Sequence, residues 1–242
     1  MKINSFSNPI IKNYSNNPAN IPISEKMNAQ ATGYEIGTRN SEDAKNLLNT
    51  AEGTLNNVSD SLNRMRELAV NAKNGILTND DKSIIQDEIN SIKNEINGSL
   101  KNTEFNTIEL FNGFSGNVQT GPNEGQGQIM RIENTSLKNL GLESFNVMNE
   151  FDIEDIDQAI ERINETRTEI GTQTNALDYS IKENNISREN IIASENKLDD
   201  DFEKEIMELK KNQIVQMYSI QMQSQKMNND QKNNMGVLNT LV

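Results

Sequence analysis

The stretch AKNLLNTAEGTLNNVSDSLNRMRELAVNA, residues 44–72, decides the fold. Its small and apolar side chains recur at gaps that alternate between four and three: Ala44, Leu48, Ala51, Leu55, Val58, Leu62, Met65, Ala69 and Ala72. This heptad spacing places all nine on one stripe of an α-helix. A stripe that narrow needs partner helices to cover it, so the pattern predicts a bundle of long helices.

Three further patterns complete the predicted fold. A second ladder runs through Ile156, Ile160, Ile163, Arg167, Ile170, Thr174, Leu177 and Ile181, and a shorter stripe through Ile85, Ile89, Ile92 and Ile96. Glycines and short alternating pieces between residues 105 and 147 predict a small β-hairpin patch. We therefore expect a mainly α protein, an elongated helical rod or coiled-coil bundle of long heptad helices with a β-hairpin patch.

Local signals set the predicted helix boundaries at 41–74, 78–97 and 153–200. Ser41 suits a helix start, whereas Asn74-Gly75 and Asn97-Gly98 suit helix ends. Before Ser41 we expect only a short helix near residues 24–31, because Gly33 and Gly37 interrupt the pattern. Asp199–Asp201 is the expected joint before a last helix at 203–228, and the Pro- and Asn-rich residues 1–22 predict a partly disordered segment.

Composition excludes several classes of function. The chain has 242 residues and a formal net charge of −13, which argues against binding nucleic acid or an anionic membrane surface. With no Cys and no His, it has neither a thiol nucleophile nor a Ser–His–Asp triad. No apolar run approaches the roughly 20 residues of a membrane span. Nor does Met1–Tyr14 carry the apolar core of a secretory signal, so we expect export without a cleaved signal peptide.

Two acidic clusters invite a chemical interpretation. Asp199–Asp201 lacks the spacing and glycine of a Ca²⁺ loop, and three adjacent carboxylates on a helix point in different directions. Glu150, Glu154 and Asp157 would need a walled pocket to separate their pKa values, and a helical rod offers none. The sequence therefore predicts no catalytic residue, no metal ligand and no cofactor, and the protein is not expected to be an enzyme.

An ordered series of short motifs resembles bacterial flagellins over about residues 23–242. The N-terminal half of the series comprises Ile23-Ser-Glu-Lys-Met-Asn-Ala-Gln30, Thr38-Arg-Asn40, Ala51-Glu-Gly-Thr-Leu55, Leu62-Asn-Arg-Met-Arg-Glu-Leu-Ala-Val70 and Phe111-Asn-Gly113. The C-terminal half comprises Arg167-Thr-Glu-Ile-Gly171, Asn212-Gln-Ile214 and Val237-Leu238. The order of these motifs along the chain is more specific than any one of them.

The resemblance implies a structural subunit of the flagellar filament, which self-assembles through helix–helix contacts for motility. It implies a reduced N-terminal inner-tube segment at 1–40, a rod-like outer-tube domain at 41–202 and a C-terminal inner-tube helix at 203–242. We expect the variable outer domains of the family, and most of its N-terminal inner-tube helix, to be absent, so the resemblance implies a minor or divergent flagellin. The implied location is the extracellular flagellum.

Two sets of candidate contact residues follow from the resemblance. The family's surface for the animal flagellin-sensing Toll-like receptor corresponds to Arg64, Arg66, Glu67, Leu68 and Glu88. The residues alone favour a solvated or intersubunit salt-bridging face there. Inner-tube assembly contacts correspond to Ile214, Met217, Ile220, Val237 and Leu238. The implied partners are other flagellin subunits, a flagellar export chaperone and the filament cap, with no nucleic acid and no membrane.

Two other functions remain open at this point. A hook–filament junction protein would share the terminal helices, although the Arg-Glu-Leu-Ala and Glu-Gly-Thr-Leu runs favour flagellin proper. A secreted, non-polymerising binding module, or a competitor for the flagellin chaperone, would fit the shortened N-terminus. Whether the purified chain stays monomeric alone and with ordinary flagellin separates the two classes.

Overall fold

A computed structural model describes the backbone of residues 21–239 and the side chains of residues 22–226 except 199, 202 and 205. This part of the chain forms three α-helices and four short strands. In chain order they are α1 (Ile21–Ala72), α2 (Asn79–Asn102), β1 (Glu104–Phe105), β2 (Ile108–Glu109), β3 (Phe114–Gln119), β4 (Gly127–Ile132) and α3 (Glu154–Asn239). The predicted class, mainly α with long helices and a small hairpin patch, is confirmed. The chain divides into two compact units, Asn28–Glu189 and Met1–Met27 with Asn190–Val242.

The core of the unit Asn28–Glu189 is built from the predicted ladders. All nine positions of the first ladder are buried, from Ala44 at 6% exposed to Ala72 at 0%. The four isoleucines of the α2 stripe are buried too, as are Ile156, Ile163, Ile170 and Leu177 of α3. Each fully buried aliphatic side chain contributes about 1.5–3 kcal/mol of transfer free energy. The remaining positions of the second ladder, Ile160, Arg167, Thr174 and Ile181, are half-buried.

The hairpin patch packs its inner face on this core. β3 and β4 pair antiparallel from Phe114 opposite Ile132 to Gln119 opposite Gly127. Met130 and Ile132 are buried, whereas Ile129 and Arg131 are exposed, as the period of two requires. The side-chain amide of Gln173 on α3 holds the edge of β4: it accepts from the Arg131 N–H at 2.9 Å and donates to the Arg131 carbonyl at 2.8 Å.

The predicted start of the first helix at Ser41 is wrong, because α1 runs through Gly33, Gly37 and Ser41. The Ser41 side chain is fully buried, and its hydroxyl donates to the Gly37 carbonyl one turn earlier at 2.8 Å. A serine that bonds back to its own helix does not cap a new one.

The two glycines that suggested an interruption are sites of close approach. A Cβ atom at Gly33 would lie 2.5 Å from Cβ of Pro122, and one at Gly37 would lie 2.4 Å from the Thr120 carbonyl oxygen. The tip of the β3–β4 hairpin therefore lies directly against the α1 backbone. Glycine is required at both positions because any side chain would push the tip away.

The second helix starts as predicted and ends later. Thr78 caps α2: its hydroxyl accepts from the Asp81 N–H at 3.2 Å while the Thr78 N–H donates to the Asp81 carboxylate at 3.0 Å. The predicted end at Asn97 is wrong, since α2 continues to Asn102. Leu100, 5% exposed, joins the core, and this burial outweighs the helix-breaking tendency of Gly98.

In the other compact unit, the predicted joint at Asp199–Asp201 is also wrong. Helix α3 continues without a break from Glu154 to Asn239. Asp200 and Asp201 are exposed, and Asp201 pairs with Lys204 one turn later at 3.5 Å. Solvent and the Lys204 cation therefore weaken the repulsion between the neighbouring carboxylates, and the helix continues through them. Residues 1–20, where the sequence predicts disorder, lie outside the described part. Among the helices that are described, none has an apolar stretch that would cross a membrane.

Candidate interaction surfaces

Arg64 joins α1 to α2 on the predicted receptor or intersubunit surface. Its Nε and a terminal nitrogen donate to Glu88 Oε1 at 3.1 and 2.7 Å, and its other terminal nitrogen donates to Glu67 at 3.0 Å. The hydrogen bond with Glu88, followed by that with Glu67, raises the pKa of Arg64 above its usual value. The side chain is still about half exposed, so this planar cation is both held in place and open to a partner.

Arg66, two residues later, joins α1 to α3 instead. Its Nε donates to Asp157 Oδ1 at 2.5 Å, and a terminal nitrogen donates to Oδ2 at 3.3 Å. The hydrogen bond from Arg66 lowers the pKa of the Asp157 carboxyl, and the same contact raises the pKa of Arg66. The sequence favoured a solvated or intersubunit salt-bridging face, but the salt bridges of Arg64 and Arg66 are intramolecular and tie α1 to both neighbouring helices.

One member of the predicted surface is misplaced. Leu68 is only 5% exposed and belongs to the hydrophobic core. It lies next to Ala69 of the heptad ladder, so it widens the buried stripe rather than facing solvent. The expectation that Leu68 contributes to an exposed surface is corrected, and Arg64, Arg66, Glu67 and Glu88 remain.

A charged pair lies inside the second ladder. Arg167, at a heptad position of α3, donates to Glu52 Oε1 of α1 from Nε at 2.9 Å and from a terminal nitrogen at 2.7 Å. Both side chains are about one third exposed. The second oxygen of Glu52 is buried and has no hydrogen-bond partner among the described groups. The ladder predicted contact at Arg167, but a single sequence cannot identify Glu52 as its partner.

The hairpin tip is held by two asparagines, and the sequence assigned neither of them this role. Asn40 of α1 donates to the Gln119 carbonyl at 2.9 Å, and Asn184 of α3 donates to the Thr120 carbonyl at 2.6 Å. Asn184 is 5% exposed, unusual for an amide side chain. Its position seven residues after Leu177 on the apolar stripe was the available signal.

A different kind of surface occupies the C-terminal part of α3. Ile214, Met217 and Ile220 are 49%, 65% and 65% exposed. They belong to a group of eight exposed large apolar side chains: Met207, Leu209, Ile214, Val215, Met217, Tyr218, Ile220 and Met222. The side chains of Val237 and Leu238, also predicted as assembly contacts, lie outside the described residues. Exposed apolar groups of this size are typical of surfaces that a partner covers.

An open groove on α3 contains acidic side chains but no enclosed site. Glu161, Glu165 and Glu169 line it at successive turns, together with Asp157. Across the described side chains, no group of three or more acidic residues is arranged to hold a metal ion. The groove lies open on the surface of α3.

Comparison with protein families gives two matches that cover most of the chain. The family described as "Bacterial flagellin N-terminal helical region" matches residues 10–115, and "Bacterial flagellin C-terminal helical region" matches residues 153–238. The first match begins thirteen residues before Ile23, where the quoted motifs begin. Together the two matches include all three helices except Asn239, the last residue of α3.

Individual relatives agree with the family matches. The chain is 32% identical over 216 residues to a flagellin of Halalkalibacterium halodurans, covering 86% of this chain and 79% of that protein. It is 31% identical over 249 residues to a flagellin of Bacillus subtilis, covering 86% and 82%.

Solved structures show the same likeness. The crystal structure of Bacillus cereus flagellin matches with a TM-score of 0.55 and 30% identity, over 61% of this chain and 89% of that chain. A putative flagellar hook-associated protein from Vibrio parahaemolyticus matches with a TM-score of 0.65 over 76% and 99%, but at 17% identity. The second likeness concerns the fold alone.

Proposed function

Because this chain belongs to the bacterial flagellin family, we propose that its two compact units make different contacts in a filament. Flagellins are structural, non-enzymatic proteins of the extracellular filament, and this chain is a structural subunit of that filament. In our proposal Asn28–Glu189 is the outer-tube domain. The helical segment from Asn190 onward, within α3, then supplies the inner-tube contacts.

The observation that carries this proposal is the exposure of Ile214, Met217 and Ile220. Burying apolar side chains of this size against neighbouring copies releases about 25 cal/mol for each Å² removed from water. Contact between these exposed apolar residues and another protein surface is therefore favourable. In a helical polymer of identical subunits, each subunit can bury this part of α3 against its neighbours. The flexible side chain of Met217 can also adapt to an irregular partner surface.

Electron microscopy of the purified full-length chain under polymerising salt, alone and seeded with short flagellar fragments, tests the proposal. The wild type is expected to form or extend filaments. A triple variant, Ile214→Ser with Met217→Ser and Ile220→Ser, is expected to stay monomeric at the same concentration.

The matched control replaces three exposed glutamines of the same helix, Gln213, Gln216 and Gln221, by serine. This control is expected to polymerise like the wild type, because it removes no apolar surface. Circular dichroism must show equal helix content in all three proteins. If the apolar triple variant forms filaments as readily as the control, the C-terminal helix does not supply the inner-tube contacts.

We also propose that Arg64, Arg66, Glu67 and Glu88 form a surface for the flagellin-sensing Toll-like receptor. The support is family membership together with the half-exposed, fixed guanidinium of Arg64, since such arginines often anchor protein interfaces. Arg64→Ala is expected to weaken binding of the monomer to the receptor ectodomain without loss of helix content. Arg39→Ala, an exposed arginine of α1 paired with Glu35, is the control. Equal binding by both variants would remove Arg64 from the receptor surface.

Export and its partners complete the proposal. We propose that the chain leaves the cell unfolded through the flagellar channel, without a cleaved signal peptide. We further propose that an export chaperone covers the apolar side chains around Met217 before export, and that the filament cap guides assembly afterwards. N-terminal sequencing of filament protein tests whether a signal peptide is cleaved. Titration of the chaperone with the wild type and with the apolar triple variant tests the second.

The alternatives receive less support. The relatives with about 30% identity are flagellins that this chain matches along most of their length, and the hook-associated likeness is limited to the fold. A non-polymerising binding module is not favoured by these relatives either.

A further inference from the structure

The methionine side chains of this chain include two groups that differ sharply in exposure. Met65 of α1 and Met130 of β4 are buried in the hydrophobic core, at 0% and 1% exposed. Met207, Met217 and Met222 of α3 are each about two thirds exposed. A thioether in contact with solvent is open to oxidants, whereas one enclosed by close-packed side chains is shielded from them. The three exposed thioethers therefore lie where an oxidant reaches them first.

These three methionines lie among the exposed apolar side chains that carry the proposed function. Met207 is seven residues before Ile214, and Met217 is three residues after it. Met222 is four residues after Tyr218, which is itself four residues after Ile214. Residues at these spacings are neighbours along one side of a helix. A change in the polarity of the methionines therefore changes the surface that we assign to inner-tube contacts.

The composition of the chain directs oxidation to methionine. There is no Cys, no Trp and no His, so three other side chains that oxidants attack are missing. Methionine is then the side chain that hydrogen peroxide oxidises most readily, and the product is methionine sulfoxide. Peroxide treatment of this protein is therefore a reaction of its thioethers.

We propose that Met207, Met217 and Met222 form a redox-sensitive modification site, and that their oxidation to sulfoxides by hydrogen peroxide prevents the folded chain from assembling. This inference rests on the proposed function, because it concerns the regulation of the same contacts. It assigns the exposed methionines a second role beside packing, as the point at which an oxidant controls the surface.

The reaction needs no co-reactant other than hydrogen peroxide. A lone pair of the methionine sulfur attacks one peroxide oxygen, so that an S–O bond forms while the O–O bond breaks. The proton on the transferred oxygen passes to the departing hydroxide, which leaves as water. Sulfur loses two electrons and peroxide gains the same two. The apolar thioether thereby becomes a polar, chiral sulfoxide.

Oxidation opposes assembly because of what the new oxygen atom requires. On the free chain the sulfoxide oxygen accepts hydrogen bonds from water, and burial against a neighbouring copy removes that water. Burying a polar group without a replacement partner costs free energy, whereas burying a thioether is favourable. Met65 and Met130 are shielded in the core, so the oxidised chain is expected to stay folded. The modification therefore acts on assembly and leaves the fold intact.

Peptide mass spectrometry and polymerisation of the full-length chain test this proposal together. After treatment with dilute hydrogen peroxide, peptides that contain Met207, Met217 and Met222 are expected to gain one oxygen atom before those that contain Met65 and Met130. The critical concentration for polymerisation is expected to rise about tenfold, equivalent to 1.4 kcal/mol, at unchanged helix content. Reduction by the two methionine sulfoxide reductases, one for each sulfoxide epimer, is expected to restore assembly.

Leucine substitution assigns the effect to these positions. The triple variant Met207→Leu, Met217→Leu and Met222→Leu keeps apolar side chains of similar volume and lacks the reactive sulfur atoms. It is expected to polymerise like the wild type both before and after peroxide treatment. Met148→Leu, which removes a partly exposed methionine of the other compact unit, is the control and is expected to remain sensitive to peroxide.

The outcomes separate this inference from the proposed function. Wild-type chains that carry sulfoxide at all three positions and still polymerise normally overturn the inference and leave the filament role intact. A leucine triple variant that is as sensitive to peroxide as the wild type overturns the assignment to these methionines. Loss of helix content on oxidation overturns it too, because the chain would then fail by unfolding. A reduced wild type that never polymerises, alone or seeded, contradicts the proposed function and this regulation with it.

Discussion

The carbonyl oxygen of Thr120 lies 2.4 Å from the place where a Cβ atom of residue 37 would be, and only glycine at position 37 allows this approach. Thr120 is the first residue of the loop between β3 and β4, and its carbonyl also accepts the hydrogen bond from Asn184 of α3. The loop is therefore held between two helices. Gly37 is therefore required for the packing of this loop, whereas Gly53 of the same helix has no neighbour that requires a glycine. Alanine substitutions at the two positions are expected to change stability in opposite directions.

Gly37→Ala is expected to destabilise the monomer. The added methyl group overlaps backbone atoms of Thr120, which cannot rotate away as a side chain would, so the hairpin tip must shift. Overpacking of this kind costs about 1–3 kcal/mol, more than the roughly 1 kcal/mol gained in helix propensity. Urea unfolding followed by circular dichroism measures the net effect. Gly53→Ala, with open space around it, is expected to change stability in the opposite direction, and equal shifts for both would contradict the close approach.

Thr78→Ala is expected to reduce stability by about 1 kcal/mol, because it removes the hydroxyl of the capping box and leaves the Asp81 N–H without its acceptor. Thermal unfolding measures the loss as a lower melting temperature. Ser83→Ala, an exposed serine within the same helix, provides the comparison and is expected to be neutral or slightly stabilising. A Thr78→Ala protein as stable as the Ser83→Ala protein would show that the cap contributes nothing.

The pH dependence of stability is expected to include a contribution from Asp157. Its pKa in the folded chain is lowered by Arg66, so the folded state binds a proton less readily than the unfolded state. This stabilisation is fully present above the unfolded pKa, about 3.9, and is lost as pH falls through the lowered folded value. Melting temperatures between pH 2 and 6 should therefore fall less steeply for Asp157→Asn than for the wild type. If the two proteins lose stability with equal slopes, the Arg66–Asp157 contact does not contribute to the pH dependence.

Residue spacing alone was sufficient for the helices and most of the core. A ladder such as Leu48, Leu55 and Leu62 specifies which side of the helix is buried, whatever covers it. The errors at the start of α1 and the end of α2 lie where a tertiary contact decides the boundary, whereas α3 passes through the expected joint at Asp199–Asp201 without such a contact being needed. Gly37 suggests a helix interruption from sequence, but in the structure it allows the close approach of Thr120. Burial of Leu100 in the core stabilises the part of α2 that follows Gly98.

The candidate surfaces show the same limit. The charged cluster around Arg64 and the C-terminal apolar residues were named through the family resemblance, and neither set follows from charge or hydropathy alone. Leu68 could have been assigned to the core from its spacing, because it lies three residues after Met65 and four before Ala72, on the same side of α1 as the ladder. The partners of Arg64 and Arg167 lie 24 and 115 residues away, a distance at which a single sequence carries no pairing signal.

The Glu52–Arg167 pair offers the clearest test of whether a charge within a heptad ladder contributes to stability. Arg167→Met keeps an unbranched, largely apolar stem and removes the guanidinium, which leaves the Glu52 carboxylate half-buried, with neither oxygen paired. Glu52→Gln removes the charge on the other side. Because each side chain is about one third exposed, solvent weakens the attraction, and we expect a coupling energy of about 1 kcal/mol.

A double-mutant cycle in urea, with the single and double variants, measures this coupling. Arg167→Met alone is expected to cost more than the double variant, because the second substitution removes the uncompensated carboxylate. The more exposed pair of Lys45 and Asp178, which also joins α1 to α3, is the matched control and is expected to give a smaller coupling. If the two cycles give the same coupling energy, partial burial does not strengthen the Glu52–Arg167 contact. Arg167 would then occupy its heptad position without stabilising the fold through this ion pair.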